Sequence, residues 1–235
     1  MVELGLGLLS IGRPWGVRQE PPPSEEAALE LLQRALDLGI RFFDTAPAYG
    51  ASEAILGRFL RTNNRDVFIA TKMGESWDGK TSTVDHRYAA LERSIDRSLE
   101  LLGRIDLLQV HKSTADSLRS SDIARAIEYA RGCGIQEFGA SVPDMAAAEA
   151  AASTGWCTWL QFPFSRANPA LGPIFQLTGM KLIINRPLAM GALGATPLEA
   201  FNFIRRQDFS GIVLTGTKSI AHLSANHAAF YAPRQ

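Results

Sequence analysis

Apolar residues along the chain gather into short runs of roughly five to seven that alternate with longer stretches of helical period. Eight runs read as strands: LGLGLLS from Leu4, RFFDTA from Arg41, VFIATKM from Val67, IDLLQVH from Ile105, QEFGASV from Gln136, TWLQFPF from Thr158, KLIINRPL from Lys181 and GIVLTGT from Gly211. Between them the pattern predicts helices with polar caps. Ser24 precedes EEAALELLQRALDLG, Ser52 precedes EAILGRFL, Thr83 opens a stretch reaching Leu102, and Asp122 precedes IARAIEYARG. Asp144, Asn168 and Thr196 open three more, and SIAHLSANHAAF forms the last. Thr196-Pro197-Leu198-Glu199 combines capping-box spacing with proline at the first helical position.

Eight strand-helix units whose strands are apolar enough to be covered on both faces predict an α/β fold, a (β/α)8 TIM barrel forming a single domain over residues 1–235. The rival, an open doubly wound sheet, would carry a glycine-rich fingerprint after an early strand. Here the GLG at residues 5–7 lies inside the first strand and lacks the third glycine.

Composition narrows the partners. The chain has 235 residues, 46% hydrophobic, with 24 Lys plus Arg against 24 Asp plus Glu, and no block of one sign. Neither a nucleic-acid groove nor a polybasic membrane anchor is expected, which leaves a small molecule. The opening MVELGLGLLSIG, acidic at position 3 and broken by glycines, predicts neither a leader nor a spanning helix, so a cytoplasmic location is expected. Cys133 and Cys157 stand in different segments without a CxxC or a nearby histidine pair; no disulfide or metal site is expected, and both read as small buried residues.

In a barrel of this kind chemistry sits where strands end and the following loops begin. The ends of strands two, three and four carry Asp44, Lys72 and His111, and Tyr49 lies on the loop leaving strand two. Singly each has a structural explanation: a turn cap, a loop wedge, a solvated lysine, a core imidazole. Together they form a constellation. A lysine and an aspartate closed into one pocket must pair. A phenol beside them, titrating near ~10 when free, would be drawn down by the ammonium and could donate a proton to a carbonyl oxygen that is becoming an alkoxide. His111 would orient that oxygen, and the missing reactant is a hydride.

At this point the chain resembles the aldo-keto reductases over almost its whole length. The matching stretches are GIRFFDTAPAYGASEAILGRFL at 39–60, ATKMG at 70–74, IDLLQVH at 105–111, EFGAS at 137–141, LQFPFS at 160–165, PLAMGAL at 187–193 and GTKSIAHLSAN at 216–226. The resemblance implies a catalytic tetrad of Asp44, Tyr49, Lys72 and His111, and an extended nicotinamide cofactor held without a Rossmann domain. By motif position Ser141 and Gln161 would bond the carboxamide and Phe164 would stack on the nicotinamide ring. Lys218 would meet an adenosine 2′-phosphate, with Thr217 and Ser219 as further donors, and Asn226 would contact adenine. NADP(H) is therefore favoured over NAD(H).

The chain departs from the family pattern at Val142, where asparagine is common, at Ala225, where an acid is common, and at Ser219, where some members carry arginine. It begins almost at strand one, ends soon after the last helix and has only a short MGALGA connection after strand seven, which predicts an open cleft and rapid cofactor exchange. Trp15 and Trp77 are candidate pocket walls, with surface packing as the alternative, and Lys112 beside His111 would favour an anionic substrate if it reaches the rim. The leading reading is NADPH-dependent reduction of an aldehyde or ketone, with no protein partner required. Two alternatives stand beside it: a lyase or isomerase using the same tetrad beside an eroded cofactor site, and a cofactor-sensing accessory protein.

Overall fold

The computed structural model describes residues 1–16, 19–63, 66–189 and 196–233. Eight parallel strands close into a barrel: β1 Val2–Gly7, β2 Phe42–Asp44, β3 Phe68–Met73, β6 Leu107–Val110, β7 Glu137–Ser141, β8 Trp159–Pro163, β9 Lys181–Asn185 and β10 Gly211–Thr215. The barrel shuts where Leu4 of β1 pairs with Val213 of β10. Between β3 and β6 lies a hairpin of β4 Glu75–Trp77 and β5 Ser82–Val84.

Strand alternation separates two cores. Phe43 and its outward neighbours join the layer under the helices, whereas Phe42, Ala70, Leu107, Trp159, Ile183, Ile212 and Leu214 fill the barrel itself. Phe42 stacks on Phe68 with centroids 5.2 Å apart, and both lean on Trp159. Because side chains on one face recur every second residue, the next inward position along four of these strands is Asp44, Lys72, Gln109 and Gln161. An apolar plug is thus capped by a polar layer at the carboxyl ends of the strands.

The helices are α1 Leu9–Gly12, α2 Glu25–Asp37, α3 Ser52–Thr62, α4 Tyr88–Leu102, α5 Ala115–Leu118, α6 Ser121–Gly132, α7 Met145–Ala152, α8 Pro197–Arg205 and α9 Ile220–Tyr231. Ser24 and Asp144 cap as expected, and Thr196 with Glu199 forms a full capping box.

Four boundaries differ from the sequence reading. Ser52 is the first helical residue and not a cap, since its hydroxyl is buried against Thr45 Oγ1 at 2.8 Å. Thr83 lies in β5, paired with Ser76, and α4 starts only at Tyr88. Ser120, not Asp122, caps α6. Asn168 opens no α-helix: it bridges back to Ser165, and Pro169 and Pro173 limit the segment to a 3-10 turn at Gly172–Gln176. Cys157 is buried, and burial pushes its thiol up to about 12, but Cys133 is exposed, contrary to expectation. Among the described residues no helix is long and apolar enough to cross a membrane, and no cluster could hold a metal ion. The MGALGA connection lies outside the described residues.

Candidate active site

Asp44, Lys72 and His111 meet because their strands are neighbours: β2 pairs with β3, β3 with β6, and Lys72 stands in register with Gln109, two residues before His111. Lys72 Nζ lies 2.7 Å and 2.8 Å from the two Asp44 oxygens and donates also to Thr45 O at 3.0 Å. The lysine side chain is 0% exposed and the aspartate 3%. Such a pair persists because each charge answers the other; alone, either would be costly at this depth. Burial works against the Lys72 ammonium, but the Asp44 charge and hydrogen bonds outweigh it and raise its pKa above the ordinary lysine value.

Tyr49 arrives from the loop after β2, on a 3-10 turn at Pro47–Tyr49. Its ring stands 4.8 Å from Lys72 Nζ and edge-on to His111 at 5.8 Å between centroids. The turn is pressed tightly on the end of α1: Ala51 N–H donates to Gly12 O at 3.1 Å, and a Cβ on Gly12 would fall 1.8 Å from Tyr49 O. The titration of Tyr49 runs opposite to expectation. Burial raises its pKa above 10.0, and the Lys72 charge lowers it by less. The phenol is therefore a protonated donor kept beside an ammonium.

His111 is buried, and desolvation, then the charges of Lys72, Lys112, Arg13 and His86, hold its pKa well below 6.5. These influences favour the neutral imidazole. Its Nδ1 lies 3.0 Å from Glu75 Oε2, off the line of a hydrogen bond. His86 Nε2–H donates to the His111 carbonyl at 2.8 Å.

Gln109 and Gln161 both donate to Asp44 Oδ1, at 3.2 Å and 3.1 Å, and each leaves a buried Oε1 without a partner. Gln109 was missed in the sequence, although its inward parity with Leu107 was a usable signal. Glu75 had no such signal, because only the hairpin brings it under His111.

The expected cofactor residues divide. Ser141 is paired across the strands with Gln161, and the orphaned Gln161 Oε1 is an acceptor suited to a carboxamide N–H. Lys218 is occupied, 2.9 Å from Glu20 Oε2 and donating to Pro21 O at 2.9 Å, in a part-exposed pair. Ser219 Oγ caps α9, accepting from His222 N–H, and Thr217 Oγ1 accepts from Ser219 N–H. Two residues are not presented as expected. Phe164 is 2% exposed, its ring stacked on Phe203 at 5.4 Å and edge-on to Phe175, so its face is used in packing. Asn226 is buried and its amide donates to Thr215 Oγ1 at 2.9 Å.

At the rim Trp15 and Trp77 are half-buried, and Arg13 lies over both, 5.9 Å and 4.4 Å from their ring centroids. Lys112 is exposed. An open groove elsewhere, lined by Tyr88, Arg125, Tyr129 and Trp156, shares no residue with this end of the barrel.

The aldo/keto reductase family model matches residues 3–208. The chain belongs to that family. It is 28% identical to an uncharacterized oxidoreductase of Bacillus subtilis, over 84% of this chain and 64% of the relative. It is 27% identical to an aldo-keto reductase of Schizosaccharomyces pombe designated for NADP(+), over 81% of this chain and 59% of the relative. The chain thus spans about three fifths of the length of these curated relatives. A crystal structure from Pseudomonas aeruginosa, assigned to the same family, superposes with a TM-score of 0.84 at 28% identity, covering 97% of this chain and 88% of that one.

Proposed function

We propose that this protein reduces an aldehyde or ketone to an alcohol at the expense of NADPH. The observation that carries the reading is the contact of a protonated Tyr49 with a buried, Asp44-held Lys72 ammonium beside a neutral His111.

A bound nicotinamide would supply the hydride to the carbonyl carbon. Tyr49 gives its proton to the carbonyl oxygen as charge develops there. Lys72 stabilises the phenolate left behind, and Asp44 keeps Lys72 charged and in place. His111, unable to compete as an acid, directs a ring N–H at the same oxygen and so fixes the carbonyl for attack. Ser141 and Gln161 would hold the carboxamide, the orphaned Gln161 oxygen being the supporting feature. Lys218 would exchange its exposed partner Glu20 for the 2′-phosphate, which favours NADPH, in keeping with the NADP(+) designation of the Schizosaccharomyces pombe relative.

Tyr49→Phe separates chemistry from binding: carbonyl turnover should drop about 100- to 10,000-fold while NADPH affinity changes little. Unchanged turnover would refute the mechanism. The non-redox reading has one feature in its favour, since Phe164 and Asn226 are spent on internal contacts. Failure of NADPH to bind in a fluorescence titration would favour it.

A further inference from the structure

We propose, building on the carbonyl-reductase reading, that the substrate carries an anionic group and that Arg13, with Arg186 beside it, receives that group at the barrel rim. Arg13 is placed by the same close approach that places Tyr49. A Cβ on Gly50, the residue after Tyr49, would fall 2.4 Å from Gly12 O and 3.3 Å from Arg13 Cβ, so the two segments pack backbone to backbone with no room for a side chain between them. The Arg13 side chain then leans on the hairpin, its Nη1 donating to Ser82 Oγ at 3.0 Å and its guanidinium 4.4 Å from the Trp77 centroid. Its charge reaches His111, where it is one of the influences that hold the imidazole neutral.

Arg186 comes from the loop directly after β9, which only β10 separates from β1 around the barrel, and its guanidinium lies 5.7 Å from the Trp15 centroid, against 5.9 Å for Arg13. Trp15 therefore carries a guanidinium contact from each of two separate loops. Among the described residues neither arginine has a carboxylate partner; the rim acid Glu20 is paired with Lys218, and Glu75 lies under His111. Lys112, exposed like Arg186, adds a third cation one residue from His111, while Arg13 is half-buried.

Two arginines set on tryptophan walls and the exposed Lys112, none with an ion-pair partner among the described residues, form a positive mouth to an otherwise neutral protein. A guanidinium backed by an indole face keeps outward N–H groups for a carboxylate or phosphate, and it is less strongly hydrated than an ammonium. A carbonyl compound with such an anion would be held at both ends, its oxygen at Tyr49 and His111 and its charge at Arg13. An uncharged compound would be held at one end only.

Matched pairs test this: succinic semialdehyde against butanal, and glycolaldehyde phosphate against glycolaldehyde, the two pairs distinguishing carboxylate from phosphate. The expected kcat/KM favours the anionic member of at least one pair by about 10- to 100-fold, mostly through KM. Arg13→Gln should remove most of that preference and Arg13→Lys should keep part of it. Equal kcat/KM within both pairs, or equal losses on the charged and neutral members in Arg13→Gln, would overturn the proposal. Arg186→Ala should lower the same preference; a change confined to the KM for NADPH would remove Arg186 from the site. A second readout needs no turnover: butyrate, but not butyramide, should alter the tryptophan fluorescence of the wild-type protein, and Arg13→Gln should abolish the response. Binding of butyrate without turnover of any carbonyl would refute the reductase reading alone, whereas turnover without selective butyrate binding or anion preference would refute only the present one.

Discussion

Lys72 and Asp44 form an ion pair inside the barrel, Nζ 2.7 Å and 2.8 Å from the two carboxylate oxygens, with neither side chain more than 3% exposed. The pair stands directly on the apolar plug headed by Phe42, Ala70 and Leu107, so it is both the floor of the site and the roof of the inner core.

Breaking one side of this pair should cost more than removing both. Lys72→Met leaves Asp44 buried with only the two glutamine amides, and a loss of about 3–5 kcal/mol is expected in chemical denaturation. The double variant Asp44→Leu, Lys72→Met should recover part of that loss. A double variant no more stable than Lys72→Met, or one destabilised relative to the wild type by the sum of both single effects, would contradict the argument.

Glu53 is 2% exposed and accepts from Thr71 Oγ1 at 2.6 Å; burial raises its pKa above 4.5. Between 4.5 and the raised value the folded protein keeps a proton that the unfolded chain has lost, so this group makes stability fall as pH rises through that interval. Glu53→Gln should flatten the decline. Denaturation midpoints measured from pH 4 upward would show it, and an unaltered slope in the variant would exclude Glu53 as its source.

His111 works in the opposite sense. Its folded pKa is well below 6.5, so below 6.5 the unfolded chain binds a proton that the folded protein refuses. Stability contributed by the neutral imidazole is complete above 6.5 and is lost as pH falls toward the folded value. His111→Gln should remove this acid-side loss. NMR titration of the ring should show a neutral imidazole throughout the neutral range, and a pKa at or above 6.5 would contradict the desolvated setting.

Helices α3 and α4 touch through Gly57. A Cβ there would fall 1.8 Å from Leu101 O, a backbone atom that cannot turn aside. Gly57→Ala should destabilise by about 1–3 kcal/mol or more, as in overpacked cores. Gly132, at the end of α6, has nothing within 4 Å of its added Cβ, and Gly132→Ala should be neutral or stabilising by up to about 1 kcal/mol. Thermal melts of the two variants give the comparison directly.

The order of strands, and with it the convergence of Asp44, Tyr49, Lys72 and His111, was legible in the chain, because two-residue alternation and barrel topology place strand ends at one face whatever the details between them. Helix starts were legible where a cap acts on its own backbone, as at Ser24, Asp144 and Thr196, which are three of the seven named caps. The errors arose where a distant segment competes for the same residue. Thr83 has cap chemistry but is taken into a hairpin by Ser76. Phe164 has the right motif position but packs on Phe175 and Phe203, which come from other stretches of sequence. The sequence by itself determined the barrel and which four side chains, Asp44, Tyr49, Lys72 and His111, meet at its carboxyl end, since both follow from local pattern. Only the tertiary structure decided the protonated state of Tyr49 and the neutral state of His111, because desolvation and Coulomb energy depend on what is packed around a group and not on its neighbours in the chain, and only it set Arg13 over two tryptophans.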